Sequence, residues 1–351
     1  MRQNPRRILT LLVSLLVLLV ALNTYVNLQR VSFIDRALEE AVREKLKRST
    51  GTLYRHHVQS IEELDATGRG IERLEGIESL KNLKRLQLED NQVADVTPLE
   101  QLCGLTSLSL RNNGITALET IHFEALHSLP LERLSLRHNV MRRADGQELR
   151  LADIGLLRQF SGLKELELRD NHIEDISPLG GLTTLVELDV SQNPIQKGNI
   201  ASLKNLTNLQ VLNLRETGLT DISALSRLTN LTYLNLHSNP DIDTIAPVQQ
   251  LTQLETLILR HVPLAEQVEY LTSLTRLKRL NLRDCQVTEL SALGELMAQG
   301  ALQDHPPSGT IARVDLRDNP VPTQEDEGVD GYGPIRPYWP HITGRHPTSL
   351  P

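Results

Sequence analysis

Residues Leu163–Ile173 read LKELELRDNHI, and this pattern decides the fold. Leu166 and Leu168 alternate with polar residues, as in a short strand with one buried face. Asn171 then turns the chain, with a side-chain amide able to bond backbone groups left unpaired at the bend. The same pattern returns along the chain, so we expect one structural unit repeated many times.

The repeat, LxxLxLxxN, covers most of the 351 residues. After each turn comes a second apolar set, as in DISPLGGLTTL (Asp175–Leu185), which returns the chain along the outer side. A single unit cannot bury its leucines alone, so units must stack into one continuous core. We predict an α/β solenoid, a horseshoe with a parallel β-sheet on its concave face. Its units begin at Ile61, Leu83, Leu105, Leu131, Leu163, Leu185, Leu209, Leu231, Leu254, Leu277 and Ile311.

The turn position of the repeat predicts a structural ladder of polar side chains. Thr217, Val262 and Cys285 replace asparagine there, and we expect them to interrupt the ladder. Cys285 is then a small buried residue rather than a reactive thiol. The predicted ladder consists of Asn91, Asn113, Asn139, Asn171, Asn193, Asn239 and Asn319.

The consensus resembles the leucine-rich repeat family, specifically the 22-residue type of bacterial internalin-like surface proteins, over roughly residues 61–321. Upstream, SFIDRALEEAVREKLKRSTG (Ser32–Gly51) has helical spacing, with Ser32 and Asp35 as a cap pair. That stretch and the following IEELDATGRGIERLEGIESLKNLKRL are similar to the amino-terminal cap of internalin-like proteins. The resemblance implies a helical cap over 31–60. It also favours an extracytoplasmic protein over the cytosolic phosphatase-regulating subunits with similar repeats, which would carry no membrane segment.

The amino terminus is basic and then strongly apolar. Three arginines precede ILTLLVSLLVLLVAL (Ile8–Leu22), and NTYV extends the stretch to Val26. Residues 8–26, at about 1.5 Å each, roughly match a hydrocarbon core of about 30 Å. A cleaved signal peptide is the alternative, but small residues are poorly placed for cleavage. We predict a cytoplasmic stub and transmembrane signal anchor over 1–30, which places the solenoid outside the cell membrane as a single-pass protein.

Three units carry inserts, and the carboxy terminus changes character. The inserts lie around Ile121–Leu129, Arg143–Phe160 and Ser291–Pro307. We predict helical stretches in the second and third that thicken the outer side, with partner contact as the alternative. Residues 322–351 are rich in proline and aromatic residues. They are predicted to form a cap or tail whose Tyr338 and Trp339 pack on the last repeat, or else an exposed docking segment.

No catalytic motif is present in the sequence. GxSxG, HExxH, GxxxxGK[ST] and GxGxxG are all absent, so we predict no enzyme activity, no metal site and no cofactor. The net charge is −7 and both signs are scattered, which argues against a nucleic-acid partner.

An arginine recurs just after the strand, on the predicted concave face. Strands stack about 4.8 Å apart, so these side chains repel unless something neutralises them. Duplication alone would copy the residue, and ion pairs with the acidic residues that follow would neutralise it. The functional interpretation is a strip that binds carboxylates or phosphates. The predicted arginine column is Arg111, Arg137, Arg169, Arg215, Arg260, Arg283 and Arg317.

The remaining concave positions favour a protein partner. Glu165 and Glu187 make the centre acidic, and Tyr233 and His237 join the arginines as predicted ligand-binding residues. We predict a non-catalytic, membrane-anchored, extracytoplasmic scaffold that binds protein through its concave face. A receptor for an anionic envelope polymer, a polysaccharide or teichoic-acid-like chain, is the alternative. The mixed surface of the carboxy-terminal arc consists of Tyr233, Asn235, His237, Ile258, Arg260, Arg279, Asn281 and Arg283.

Overall fold

The computed structural model describes residues 14–21, 29–195, 199–322 and 330–346. One parallel sheet runs through the molecule, with strands in chain order except for an inserted hairpin, β7–β8. The strands are β1 Arg30–Val31, β2 Leu53–Tyr54, β3 Glu63–Asp65, β4 Arg85–Gln87, β5 Ser107–Ser109, β6 Arg133–Ser135, β7 Val140–Arg142, β8 Glu148–Arg150, β9 Glu165–Glu167, β10 Glu187–Asp189, β11 Val211–Asn213, β12 Tyr233–Asn235, β13 Thr256–Ile258, β14 Arg279–Asn281, β15 Arg313–Asp315 and β16 Gly344–His346. Strands β3 to β6 and β9 to β16 make up the long sheet, which confirms the predicted solenoid with one parallel sheet.

Helical turns form the outer side of the solenoid. Three of the described turns begin at an Asp-x-Ser or Asp-x-Thr step, where the aspartate accepts a hydrogen bond from the backbone N–H two residues later, as Asp175 does from Ser177 at 2.8 Å. The α-helices are α1 Arg36–Lys45, α2 Arg55–Val58 and α3 Ser291–Ala298. The 3₁₀ helices are Ile77–Ser79, Thr97–Gln101, Glu119–Ile121, Phe123–Ser128, Gly155–Gln159, Ser177–Gly181, Asn199–Asn205, Ser223–Arg227, Ala246–Gln250, Gln267–Leu271, Pro306–Ser308 and Trp339–His341.

Between sheet and helical turns, the leucines form one continuous core. In β9, Leu166 is 1% exposed and Leu168 is fully buried, while Glu165 and Glu167 on the other face reach solvent. Neighbouring leucines stand opposite one another, as Leu166 does with Leu188. The strict register therefore places every residue between the leucines on the concave face.

The asparagine amides bridge neighbouring units. Asn171 accepts from the backbone N–H of Asn139 at 2.9 Å and donates to the carbonyls of Leu136 and Leu168 at 3.0 and 2.8 Å. The expected interruption is wrong at two positions. The hydroxyl of Thr217 donates to a backbone carbonyl at 2.6 Å, and the thiol of Cys285 does so at 3.1 Å.

The residue before each turn residue adopts a left-handed conformation. We number the nine residues of LxxLxLxxN from 1 to 9. Position 8 has a positive φ in every unit; it is 66° at Gly68 in the first unit and 61° at Asp318 in the last. Its backbone N–H points to the next unit, as that of Asp170 does to the carbonyl of Ser191 at 3.0 Å. This bend turns the chain out of the sheet at the same place in each unit.

The amino-terminal helix and the first unit are joined by Asp35. One carboxylate oxygen accepts from the amides of Ala37 and Leu38, which begin α1, and the other accepts from the amides of Glu72 and Arg73. The apolar face of α1 lies in the same core as the first leucines. Gly76 completes the contact: at φ 105°, a Cβ there would lie 2.8 Å from the ring of Phe33.

The second insert differs from the prediction. Its first half supplies the turn and β8 of an antiparallel hairpin whose first strand, β7, precedes the insert, and within the insert only Gly155–Gln159 is helical. The sequence Ala144-Asp145-Gly146-Gln147 supplies the turn, with Gly146 at φ 83°. The third insert contains α3, as expected.

At the carboxy terminus, Trp339 is 4% exposed and Tyr338 packs on the same core. Strand β16 then extends the sheet beside β15, which the sequence did not indicate. Within the part of the chain that the structure describes, no helix has both the length and the apolar character to cross a membrane. Of the predicted span, 8–13 and 22–26 lie outside the described residues; 14–21 are helical and exposed.

Candidate functional site

The candidate site is the concave face of the sheet, which carries positions 3, 5 and 7 of each unit. Most of these side chains reach solvent, and Ser191, Asn235 and Asp315 are the buried exceptions. All predicted ligand-binding residues lie there, spread over units three to eleven rather than gathered at one point. The face is open and shallow, and it belongs to a rigid sheet. Such a surface suits recognition of a large partner better than enclosure of a small molecule.

Most of the arginine column is engaged by neighbouring side chains. Four members meet carboxylates: Arg111 meets Glu89 at 3.3 Å, Arg215 meets Glu216, Arg283 meets Asp318, and Arg317 meets Asp315 at 2.8 Å. Arg169 donates to Gln192 at 2.7 Å, and Arg260 lies 3.4 Å from a ring nitrogen of His261. Ion pairing therefore removes much of the positive charge that the sequence indicates, which weakens the case for a polyanion receptor.

The ion pairs differ from the expected ones. The sequence suggested that arginines of the column pair with the acidic residues that follow them, and among the residues that the structure describes only Arg215 does so. Asp170 instead contacts His138 of the preceding unit at 2.6 Å and Arg150 of the hairpin at 2.7 Å. Position 8 points sideways because of its left-handed backbone, so its side chain reaches position 8 of an adjacent unit more readily than the arginine beside it.

The centre of the concave face is an acidic groove of about 420 Å³. Glu187 stands directly opposite Glu165 on the next strand, and Asp189 stands opposite Glu167. Burial, and then the carboxylates of Glu165 and Glu167, raise the pKa of Glu187 above its ordinary value. Glu165 lies 3.4 Å from Arg133, whereas Glu187 has no ion-pair partner within the described residues. The groove therefore holds negative charge that the fold does not neutralise.

A second groove lies toward the carboxy terminus and is basic. Arg279 and Arg313 stand directly opposite one another on β14 and β15. Both are exposed, and neither has a carboxylate within salt-bridge distance among the described residues. Ile258 and Asn281 line the same groove, which overlaps the predicted carboxy-terminal arc. The sequence placed Arg279 on this face but did not indicate its direct pairing with Arg313, which depends on the strand register.

Tyr233 lies at the boundary of the two grooves and lines both. Its side chain is half-buried, and burial raises the pKa of its hydroxyl. Beside it, the ring of His237 contacts that of His261 at a tilt of 37°, with centroids 5.2 Å apart. The pKa of His237 is lowered, first by burial of its ring and then by the positive charges of Arg215 and Arg260. An aromatic residue between two oppositely charged surfaces is a typical anchor of a protein interface.

The residues that the structure describes do not assemble a catalytic site or a metal site. Within the described ranges, no three histidine, cysteine, aspartate or glutamate side chains are placed to hold a metal ion. Cys285 is buried, and burial raises the pKa of its thiol to about 12, so it stays protonated near neutral pH. The known proteins that the chain resembles do not indicate an enzyme activity either.

Comparison with known proteins finds leucine-rich repeats in this chain. A family model described as leucine-rich repeats (2 copies) matches residues 161–206 and 207–250. A leucine-rich repeat protein of Schizosaccharomyces pombe is 31% identical over 123 residues, which are 34% of this chain and 18% of that protein. The alignment thus spans less than a fifth of the yeast relative's length.

Solved structures add a more particular likeness, to bacterial internalins. Internalin C2 (inlC2) of Listeria monocytogenes is 29% identical, with a TM-score of 0.55, over 65% of this chain and 93% of that one. An internalin (inlF) of the same species is 24% identical with the same TM-score, over 83% of this chain and 91% of that one. The second match shows a shared fold alone. Leucine-rich repeat solenoids generally serve as non-catalytic binding scaffolds.

Proposed function

We propose that this protein is a non-catalytic, membrane-anchored, extracytoplasmic scaffold that binds another protein through its concave face. The anchor rests on the apolar stretch 8–26 and the three arginines before it. The basic residues before that stretch favour a cytoplasmic amino-terminal end, with the repeats outside.

One observation carries the binding role: two like-charged cross-strand pairs of opposite sign on one face. Glu165 faces Glu187, and Arg279 faces Arg313. Like charges directly opposite one another destabilise a sheet, so the fold gains nothing from either pair. A partner that presents cations to the first pair and anions to the second would relieve both repulsions.

The register fixes the spacing that such a partner needs. Four strand steps separate β10 from β14, which at about 4.8 Å each is roughly 19 Å. About six residues of extended peptide span that distance. Tyr233 lies between the pairs and offers an aromatic contact to the middle of the segment. Opposite charges at the two ends would also fix the direction in which the partner lies.

The test is selection of peptides from a displayed random library on the full chain, followed by affinity measurement. We expect the selected peptides to carry lysine or arginine near one end and aspartate or glutamate near the other. Glu165→Gln/Glu187→Gln should weaken their binding about 2- to 30-fold, because two exposed charge contacts contribute about 0.4–2 kcal/mol. Arg279→Gln/Arg313→Gln should have a similar effect.

Matched controls remove the same charges from the convex side. Glu100→Gln/Glu269→Gln and Arg158→Gln/Arg227→Gln alter exposed residues in or near the outer turns and should leave binding unchanged. Binding that responds to neither concave double variant contradicts the proposal. Binding of an acidic polymer instead, with steep loss as salt rises, would favour the polyanion alternative.

A further inference from the structure

A cluster of exposed cations lies near Gln29, where the described chain resumes after residues 14–21. We call Arg30, Lys45, Lys47, Arg48 and Arg55 the basic patch. Every member is exposed, and none has a carboxylate within 4.0 Å among the residues that the structure describes. In a chain whose net charge is −7, this concentration of positive charge is a local exception.

The acidic residues of α1 do not neutralise the patch, because each of them already forms an ion pair with an arginine outside the patch. Glu39 pairs with Arg43 at 2.7 Å and Glu40 with Arg36 at 2.9 Å. The third, Glu44, pairs with the guanidinium of the first repeat unit, Arg69, at 2.7 Å. The five patch cations therefore remain as net positive charge around the carboxy-terminal end of α1.

Several contacts hold the patch together as one surface. The guanidinium of Arg43 donates to the carbonyls of Arg48 and Gly51, which ties the loop after α1 back onto the helix. Arg48 then lies 3.0 Å from the ring of His57. The pKa of His57 is lowered, by desolvation first and then by Arg48 and the adjacent histidine, as expected beside clustered cations.

Strand pairing brings the remaining patch members, Arg30 and Arg55, next to Gln29, the residue at which the described chain resumes. Arg30 stands opposite Tyr54 in the β1–β2 pair, and the amide of Arg55 donates to the carbonyl of Gln29 at 2.9 Å. The apolar stretch ends at Val26, three residues before Gln29. An extended chain covers at most about 3.6 Å per residue, so Gln29 lies within about 11 Å of the end of that stretch.

That reach is comparable with the thickness of a headgroup layer, about 5–8 Å, and with the Debye length, about 8–10 Å in physiological salt. We propose that the basic patch docks on anionic phospholipid headgroups beside the anchor and so fixes the orientation of the solenoid relative to the membrane. This inference rests on the proposed membrane anchor. Juxtamembrane lysine and arginine side chains are attracted to anionic lipid in this way, and salt screens the attraction.

The experiment compares the full chain in nanodiscs of phosphatidylcholine alone and of an equal mixture with phosphatidylglycerol, by hydrogen–deuterium exchange. We expect slower amide exchange over residues 46–58 in the anionic discs, and loss of that slowing in high salt. Lys45→Gln/Lys47→Gln/Arg48→Gln/Arg55→Gln should lose it too. A control that removes four exposed cations elsewhere, Lys81→Gln/Arg158→Gln/Arg227→Gln/Arg276→Gln, should keep it.

The outcomes separate the patch from the anchor. Equal exchange in both kinds of disc, with the protein retained in them, overturns docking and leaves the anchor intact. Release of the protein from its membrane by alkaline extraction contradicts the anchor instead. In that case, flotation of the full chain with phosphatidylglycerol vesicles tests the patch alone. Flotation that the patch variant loses and the control keeps supports docking, and absence of flotation rejects it.

Discussion

Asn239→Ala tests the polar ladder that joins the repeat units. The buried amide accepts from the backbone N–H groups of Thr217 and Leu219 at 3.1 and 3.2 Å. It donates to the carbonyls of Leu214 and Leu236 at 2.8 and 3.0 Å. Alanine leaves three of these backbone groups without a partner in the interior, because the carbonyl of Leu214 keeps its hydrogen bond from the hydroxyl of Thr217. At about 1 kcal/mol for each group, we expect a loss of about 3 kcal/mol in the free energy of unfolding.

The assay is urea unfolding of the full chain in mild detergent, followed by circular dichroism. Asn230→Ala is the matched control: the side chain is exposed and donates to one carbonyl, that of Thr207, at 2.8 Å. Its loss should cost less than about 0.5 kcal/mol. Equal effects of the two substitutions would refute the conclusion that the buried amide network stabilises the stack.

Three further predictions follow from single positions. Because the pKa of Glu187 is raised, its ionised form opposes folding; this contribution is absent below the unfolded pKa and complete above the folded one. Glu187→Gln should therefore raise the free energy of unfolding in urea by about 0.2–1 kcal/mol at neutral pH, and not in strong acid. Gly294→Ala places a Cβ 2.6 Å from the carbonyl oxygen of Pro334, so it should shift the tryptophan emission to the red and lower the melting temperature, which an unchanged emission would contradict. Maleimide should modify exposed Cys103 in the folded protein and Cys285 only after unfolding; equal rates would reject the buried assignment.

The leucine pattern predicted the sheet because each unit repeats the same alternation, and stacking follows from burial alone. It could not predict the hairpin β7–β8, since the second insert contains both helical spacing and turn residues, and tertiary contacts decide between them. Val140 and Met141 of the hairpin lie against Gly114 of the preceding unit. Strand β16 was missed for a similar reason: Gly344–His346 lacks the repeat, and its pairing with β15 depends on the packing of the residues before it.

The concave residues could be predicted, but their partners could not. Strand alternation placed Arg283 and Arg317 correctly, yet Arg283 meets Asp318 of the next unit and Arg317 meets Asp315 of its own. The left-handed backbone at position 8 redirects the acidic side chains, and the repeat consensus carries no glycine there to indicate it. The charge that remains free, on Glu187 and on Arg279, becomes evident only from the contacts of the folded chain.

The most direct test of the binding proposal is the position of each end of a selected peptide on the concave face. Peptides with a photo-crosslinking group at either the cationic or the anionic end would be bound to the full chain, irradiated and mapped by mass spectrometry. The account predicts that the cationic end crosslinks within 165–189 and the anionic end within 279–317. Crosslinks on the convex side, or the two ends in reversed order, would contradict it.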